Sequence, residues 1–222
     1  MSPIKALSSK IGQKILVAIT ALGLVFFSII HLAGNLLLYV GKDAYNTYAH
    51  TLHSNPRLLL VVEIGLLITF ALHIIIAINL SRQNRQARKN KYAVQASKQG
   101  RTPITPSLWM PFSGIIILGF LLLHVSEFTF KLRHPTEGME PFARTWFILK
   151  DPISAIVYMI GSLFVGFHLW HGFQSIFQSL GLRHRSFTPI IEKIGMALAV
   201  FLALGFVSFP FWGLLKNLGV LN

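Results

Sequence analysis

Five apolar runs, each long enough to cross a bilayer, dominate this chain: Ile15–Val40, Leu58–Leu80, Leu108–Phe130, Ile153–Ile176 and Ile190–Leu215. A hydrocarbon core about 30 Å thick takes roughly 20 residues of α-helix. Inside it, every backbone N–H and C=O must be bonded within the protein, and a helix achieves this segment by segment. The runs therefore predict an all-α integral membrane protein, one domain over residues 1–222. Composition agrees, with 53% hydrophobic and only 12% charged residues, against about 25% charged in soluble domains. The first run exceeds the roughly 7–15 residues of a signal-peptide core and lacks a small-residue cleavage site, so it reads as a helix. Pro56, Pro106 and Pro152 mark the starts of helices two to four, and Thr188 and Pro189 read as N-cap and N1 of helix five.

Twenty Lys and Arg against 7 Asp and Glu give a formal charge of +13. In a membrane chain this excess reports orientation, because basic residues near helix ends stay cytoplasmic; no nucleic-acid partner is expected. Lys5, Lys10 and Lys14 precede helix one, Arg82 to Arg101 crowd the connector 81–105, and Arg183, Arg185 and Lys193 lie between helices four and five. The opposite connectors hold fewer bases, offset by Asp43, Glu137, Glu140 and Asp151. The N-terminus is thus predicted inside and the C-terminus outside, in the cell's inner (cytoplasmic) membrane. The basic connector is read first as topology, and second as a cytoplasmic extension of helix two on which a soluble partner docks. Tyr45, Tyr48, Ala49 and Leu52 recur at helical spacing, which predicts a short interfacial helix after helix one.

There is no cysteine, so thiolate metal sites and cysteine-held iron–sulfur clusters are excluded within the chain. Histidine is the informative residue. Ionisable groups inside a membrane span are costly and mark function by default, and helices one to four each carry one near their middle: His31, His73, His124 and His168. At 1.5 Å per residue, His31 and His124 both lie ~24 Å from the inner face. His73 and His168, on helices running the other way, lie roughly 10 Å or more closer to the cytoplasm. One such histidine is as well explained by a helix contact or a proton relay; four, paired at two depths, are not. In an up-down four-helix bundle, one and three are diagonal, as are two and four. The diagonal gap of roughly 12–14 Å, from a neighbour spacing of 8–10 Å, suits a haem between two imidazoles. With both axial positions filled, the iron is left to electron transfer. His171 is a rival ligand to His168 or a propionate contact, whereas His50, His53, His134 and His184 read as solvated connector residues.

The contexts of these histidines resemble the five-helix, two-haem cytochrome b membrane subunit of succinate dehydrogenase and fumarate reductase. They are His31 with Leu32 and Asn35; Glu63 followed by His73; Gly114, Ile115 and Ile116 followed by His124, Val125 and Glu127; and Phe167–His168 followed by Gly172. The resemblance covers nearly the whole chain. It implies that His73 and His168 ligate the iron of an inner haem b, that His31 and His124 ligate that of an outer one, and that His168 is preferred to His171. It also implies a flavoprotein and an iron–sulfur subunit on the cytoplasmic face, where the succinate-oxidising site would lie. Electrons would pass through both haems to a quinone, menaquinone rather than ubiquinone, near the outer surface. Some fumarate reductases of this family carry a glutamate two residues before the fourth-helix ligand; here that residue is Gly166, which points to succinate oxidation as the direction.

A quinone site needs an apolar slot and a group that exchanges protons. Burial moves a carboxyl toward the range useful for that task, and Glu63 and Glu127 are the candidates, with Tyr45, Tyr48 and His50 in the same region. Lys14 and Arg82 are candidate cations for the inner propionates, and Lys131 for the outer ones. The rival expectations are the cytochrome b subunit of a hydrogenase or formate dehydrogenase, and a haem-free transporter whose histidines relay protons.

Overall fold

A computed structural model describes residues 9–86 and 106–220, which form seven α-helices and no strand. They are α1 (Lys10–Val40), α2 (Lys42–His53), α3 (Pro56–Gln86), α4 (Pro106–Phe128), α5 (Pro141–Lys150), α6 (Pro152–Ser179) and α7 (Thr188–Asn217). Five of these, α1, α3, α4, α6 and α7, are long and apolar enough to cross a membrane. Leu67 and Ile75 of α3, Phe26 of α1, Ile115 of α4 and Leu204 of α7 are more than half exposed. Such a surface suits hydrocarbon rather than water.

Most spans run further than the hydropathy runs suggest. α1 starts at Lys10, where Ser9 accepts a hydrogen bond from the Gly12 N–H. α3 continues past Leu80 to Gln86, into the basic connector; the rest of that connector, like Lys5, lies outside the described residues. α6 begins as read, with Pro152 at N1 and Asp151 capping the Ser154 N–H. α7 differs from the sequence reading. Thr188 is its first helical residue rather than its N-cap, because the Thr188 hydroxyl donates back to the His184 carbonyl at 2.9 Å instead of bonding forward.

Specific contacts set the directions. Gln13 of α1 bonds Asn79 and Gln83 of α3, Ser113 of α4 meets His168 of α6, and Glu127 of α4 meets Ser154 of α6, so both pairs are antiparallel. α6 also packs on α1 and, most extensively, on α7. α3 and α4 scarcely touch, and no residue of α3 is buried. The core lies along the α6–α7 seam, joined by Leu32 and Leu38 of α1. Lys10 and Lys14, Arg82 and Arg85, and Arg183 and Arg185 gather where α1 and α7 begin and α3 and α6 end, hereafter the basic end.

The opposite end is capped by α2 and α5. α2 is the predicted short helix, but its tyrosines pack on protein. Tyr48 abuts Gly34 of α1, and the Tyr45 hydroxyl meets Thr145 of α5 at 3.2 Å. The helix α5 was not foreseen: Pro141 at N1 starts it, and Asn46 of α2 accepts from the Phe142 N–H at 2.9 Å.

Close approach of α6 and α7 depends on Gly166. A Cβ there would stand 2.5 Å from the Ala203 Cβ and 2.9 Å from the Ala199 carbonyl oxygen. No side chain fits, so α7 itself accounts for the glycine at this position. Gly166→Ala is expected to lower stability by about 1–3 kcal/mol through overpacking. Gly65→Ala, where a Cβ meets nothing within 4 Å, is expected to be neutral or to stabilise by up to about 1 kcal/mol. Thermal unfolding of the detergent-solubilised variants measures both.

Candidate functional site

The four span histidines lie at two levels, and at one of them two rings meet. His31 of α1 and His124 of α4 approach with ring centroids 5.9 Å apart and planes at 84°. Phe27 stacks on His31 at 5.3 Å, and Phe206 of α7 lies 5.8 Å from it. Around His124 stand Phe120, Phe128 and Tyr158 of α6, with centroids 5.1–6.0 Å away. Aromatic rings therefore surround both imidazoles at this level. The His124 Nδ1 is buried there, with no hydrogen-bond partner among the described residues.

At the second level, nearer the basic end, stand His73 of α3 and His168 of α6. Here hydroxyls meet both rings. Thr20 Oγ1 of α1 lies 3.3 Å from His73 Nδ1, and Ser113 Oγ of α4 lies 2.9 Å from His168 Nδ1. Gly114 lies beside His168, where a Cβ would stand in ordinary contact with Cε1 at 3.8 Å. His171 faces its own helix: Nδ1 is 3.2 Å from the Phe167 carbonyl oxygen, and the ring packs on Phe167 and Trp170.

These donors can be tested against a haem. Among the described residues, no three or more His, Cys, Asp or Glu side chains cluster as a metal cage. A haem iron does not need one, because it asks the protein for axial ligands only. Metal–imidazole bonds of about 2 Å on each side place two axial rings roughly 6 Å apart, centre to centre. The 5.9 Å separation of His31 and His124 fits that span. For His73 and His168, the fit lies in the donor set, two imidazoles each with a hydroxyl at one nitrogen.

The two candidate acids lie in different settings. Glu63 sits on the exposed surface of α3, with no hydrogen bond or ion pair among the described residues. Glu127 is fully buried near the capped end. Its Oε1 accepts from Arg133 Nη1 at 2.9 Å and from Ser154 Oγ at 2.7 Å, with His134 Nε2 at 3.3 Å. Its Oε2 lies in the neighbourhood of the Tyr158 hydroxyl, and among the described residues neither atom meets a partner in good hydrogen-bond geometry. Arg133 also reaches Asp151 Oδ2 at 2.8 Å, tying the end of α4, the following loop and the start of α6 into one clamp. The sequence reading of His134 as solvated is corrected: its side chain is 12% exposed, because it bonds Ser154 beside Glu127. His50, His53 and His184 are exposed as read, with His50 paired to Glu140 at 2.9 Å. Lys14 and Arg82 are exposed at the basic end, and Lys131 is half-buried in a left-handed conformation, φ 53°.

Thr20, Ser113, Arg133, Ser154 and Tyr158 were not singled out from sequence. Arg133 and His134, adjacent and a few residues past Glu127, were the one legible hint, because a buried carboxylate calls for a charged partner. Comparison with protein-family models, with curated proteins and with solved structures finds no match to this chain.

Removing Arg133 strands the buried Glu127 carboxyl, so Arg133→Leu is expected to cost about 3–5 kcal/mol, with Glu127→Gln in the same chain recovering much of it. Partial burial of Asp151 opposes its ionisation, but bonds from Ser154 and the charges of Arg133 and His134 outweigh this and hold its pKa below the usual 3.8. That contribution to stability is complete above about pH 3.8 and is lost as pH falls through the lower folded value. Asp151→Asn should flatten the acid limb of a plot of melting temperature against pH.

Proposed function

We propose that this chain is the di-haem cytochrome b and membrane anchor of a succinate:quinone oxidoreductase. The observation that carries the reading is that four membrane-length helices each bring one histidine inward, with His31 and His124 in ring contact and His73 and His168 at a second level, each beside a hydroxyl. Two haems b bound there would supply one-electron transfer along the membrane normal. His31 and His124 would hold one by its iron, and His73 and His168 the other. Phe27, Phe120, Phe128 and Phe206 would exclude water from the first, while Thr20 and Ser113 contact the ligands of the second.

The chain's own groups suggest how the two ends differ. At the basic end, Lys14, Arg82 and the neighbouring bases form a cationic rim suited to propionates and to an iron–sulfur subunit docked beneath, itself joined to a flavoprotein that oxidises succinate. Cytoplasmic placement of that rim follows from the retention of basic residues inside, and puts the capped end outside. Quinone, menaquinone by preference, would be reduced near the capped end. Glu127, whose Oε2 lacks a partner beside the Tyr158 hydroxyl, is the better placed proton-exchanging acid. Glu63, exposed on α3, would act only if the quinone approaches from the lipid side. Gly166 leaves no acid on α6 at the level of His168, in keeping with succinate oxidation as the working direction.

A reduced-minus-oxidised optical spectrum of the purified protein tests the reading. A b-type α-band near ~560 nm is expected, with about two haems per chain by pyridine haemochrome and partial reduction by succinate in the intact complex. His31→Ala and His124→Ala should each remove the same half of the haem, and His73→Ala and His168→Ala the other half. A band untouched by succinate would assign the cytochrome to a hydrogenase or formate dehydrogenase. A folded chain without a band would return the histidines to proton relay.

A further inference from the structure

We propose that Thr20 and Ser113 are positioning residues for the second histidine pair, each holding the neighbouring imidazole in the tautomer that leaves Nε2 bare for a metal. The proposal rests on the cytochrome reading for its purpose, but not for its geometry. A hydroxyl has one proton and two lone pairs. Thr20 Oγ1 lies 2.9 Å from the Leu16 carbonyl oxygen and 3.1 Å from that of Val17, both within its own helix. Carbonyl oxygens only accept, so the hydroxyl proton is committed to them, and a lone pair is what Thr20 presents to His73 Nδ1 at 3.3 Å. Ser113 repeats the arrangement on α4, with Met110 O at 3.1 Å and His168 Nδ1 at 2.9 Å. A lone pair aimed at a ring nitrogen is satisfied only if that nitrogen carries the proton. In a neutral imidazole the other nitrogen, Nε2, is then the free donor.

The opposite tautomer would force each hydroxyl to choose between its carbonyl and the ring, so each site would keep one hydrogen bond instead of two. Ser113 is fully buried, where water cannot replace the lost bond. Metal-bound histidines are oriented by such an acceptor at the second nitrogen, which also strengthens the ligating one as an electron donor. The hydroxyls come from α1 and α4 and the imidazoles from α3 and α6, so four helices converge on this level. The His31–His124 level has no counterpart, and His124 Nδ1 stands unpartnered among aromatic rings.

The test uses the full-length protein purified in its complex, with Thr20→Val, Ser113→Ala and the conservative Thr20→Ser. Potentiometric titration of the optical band should resolve two components in the unaltered protein. Thr20→Val and Ser113→Ala should each move one component to higher potential and change its ferric electron paramagnetic resonance signal, at unchanged haem content. That component should be the one that His31→Ala retains, and Thr20→Ser should restore it. Titrations and signals that stay put in both variants, or a shift in the component that His31→Ala loses, would overturn the proposal. Nitrogen-15 spectra of histidine-labelled protein without haem read the tautomer directly: Nδ1–H at His73 and His168 supports it, and Nε2–H overturns it. Absence of haem from the unaltered protein would instead overturn the cytochrome reading, leaving the tautomer measurement to stand alone.

Discussion

The close packing of α6 against α7 is the contact on which the other placements rest. Lipid tails are as apolar as leucine, so helices in a membrane gain little by hiding apolar surface and associate where small residues allow backbones to meet. Gly166 and Gly213 are such places, the first against Ala199 and Ala203, the second against the Leu149 carbonyl oxygen 2.5 Å from where a Cβ would be. With α7 occupying one flank, α6 offers its remaining flanks to α1 and α4. That leaves His168 facing Ser113, and Ser154 facing Glu127. α3 is the loosest of the spans, held mainly by α1 through Gln13 and Thr20, and it still delivers His73 to the interior.

Polar groups inside this scaffold are settled in three different ways. At the level of His73 and His168, hydroxyls that already bond their own helix turn a second lone pair to a ring. At the level of His31 and His124, aromatic rings surround the imidazoles and supply no acceptor. At the capped end, one arginine serves two carboxylates, Glu127 and Asp151, and a serine completes the buried one. The clamp is expensive to break because a buried charge without its partner loses several kcal/mol. It also leaves one carboxylate oxygen and one phenol side by side, with no other partner among the described residues. A site able to bind a polar head group at the edge of the hydrocarbon needs such groups.

Much of this was legible in the chain itself. Uninterrupted apolar runs specify spans because hydrocarbon tolerates no unbonded backbone, and a histidine's depth follows from counting residues at a fixed helical rise. Helix ends were less legible. Thr188 has the composition of a cap and acts as a back-bonding first residue, while α3 runs on into polar sequence that hydropathy assigns to a connector. The helix α5 escaped notice although Phe142, Thr145, Trp146 and Leu149 stand at helical spacing, because ten residues make too short a segment to stand on their own and it forms against α2 and α7. His134 looked solvated because its neighbours in sequence are polar, and its burial comes from Glu127 and Ser154, 7 and 20 residues away.

The sequence by itself determined five helices long and apolar enough to cross a membrane, that four of them carry a histidine, and how far along its helix each histidine lies. Those properties are one-dimensional: they depend on the length of a run and on position along it. Only the tertiary structure decided which hydroxyl meets which ring, that Gly166 is the footprint of α7, and that Glu127 is bound to Arg133. Each of these depends on the rotation of one helix about its axis relative to another, and that rotation is set by side-chain packing between segments distant in the chain.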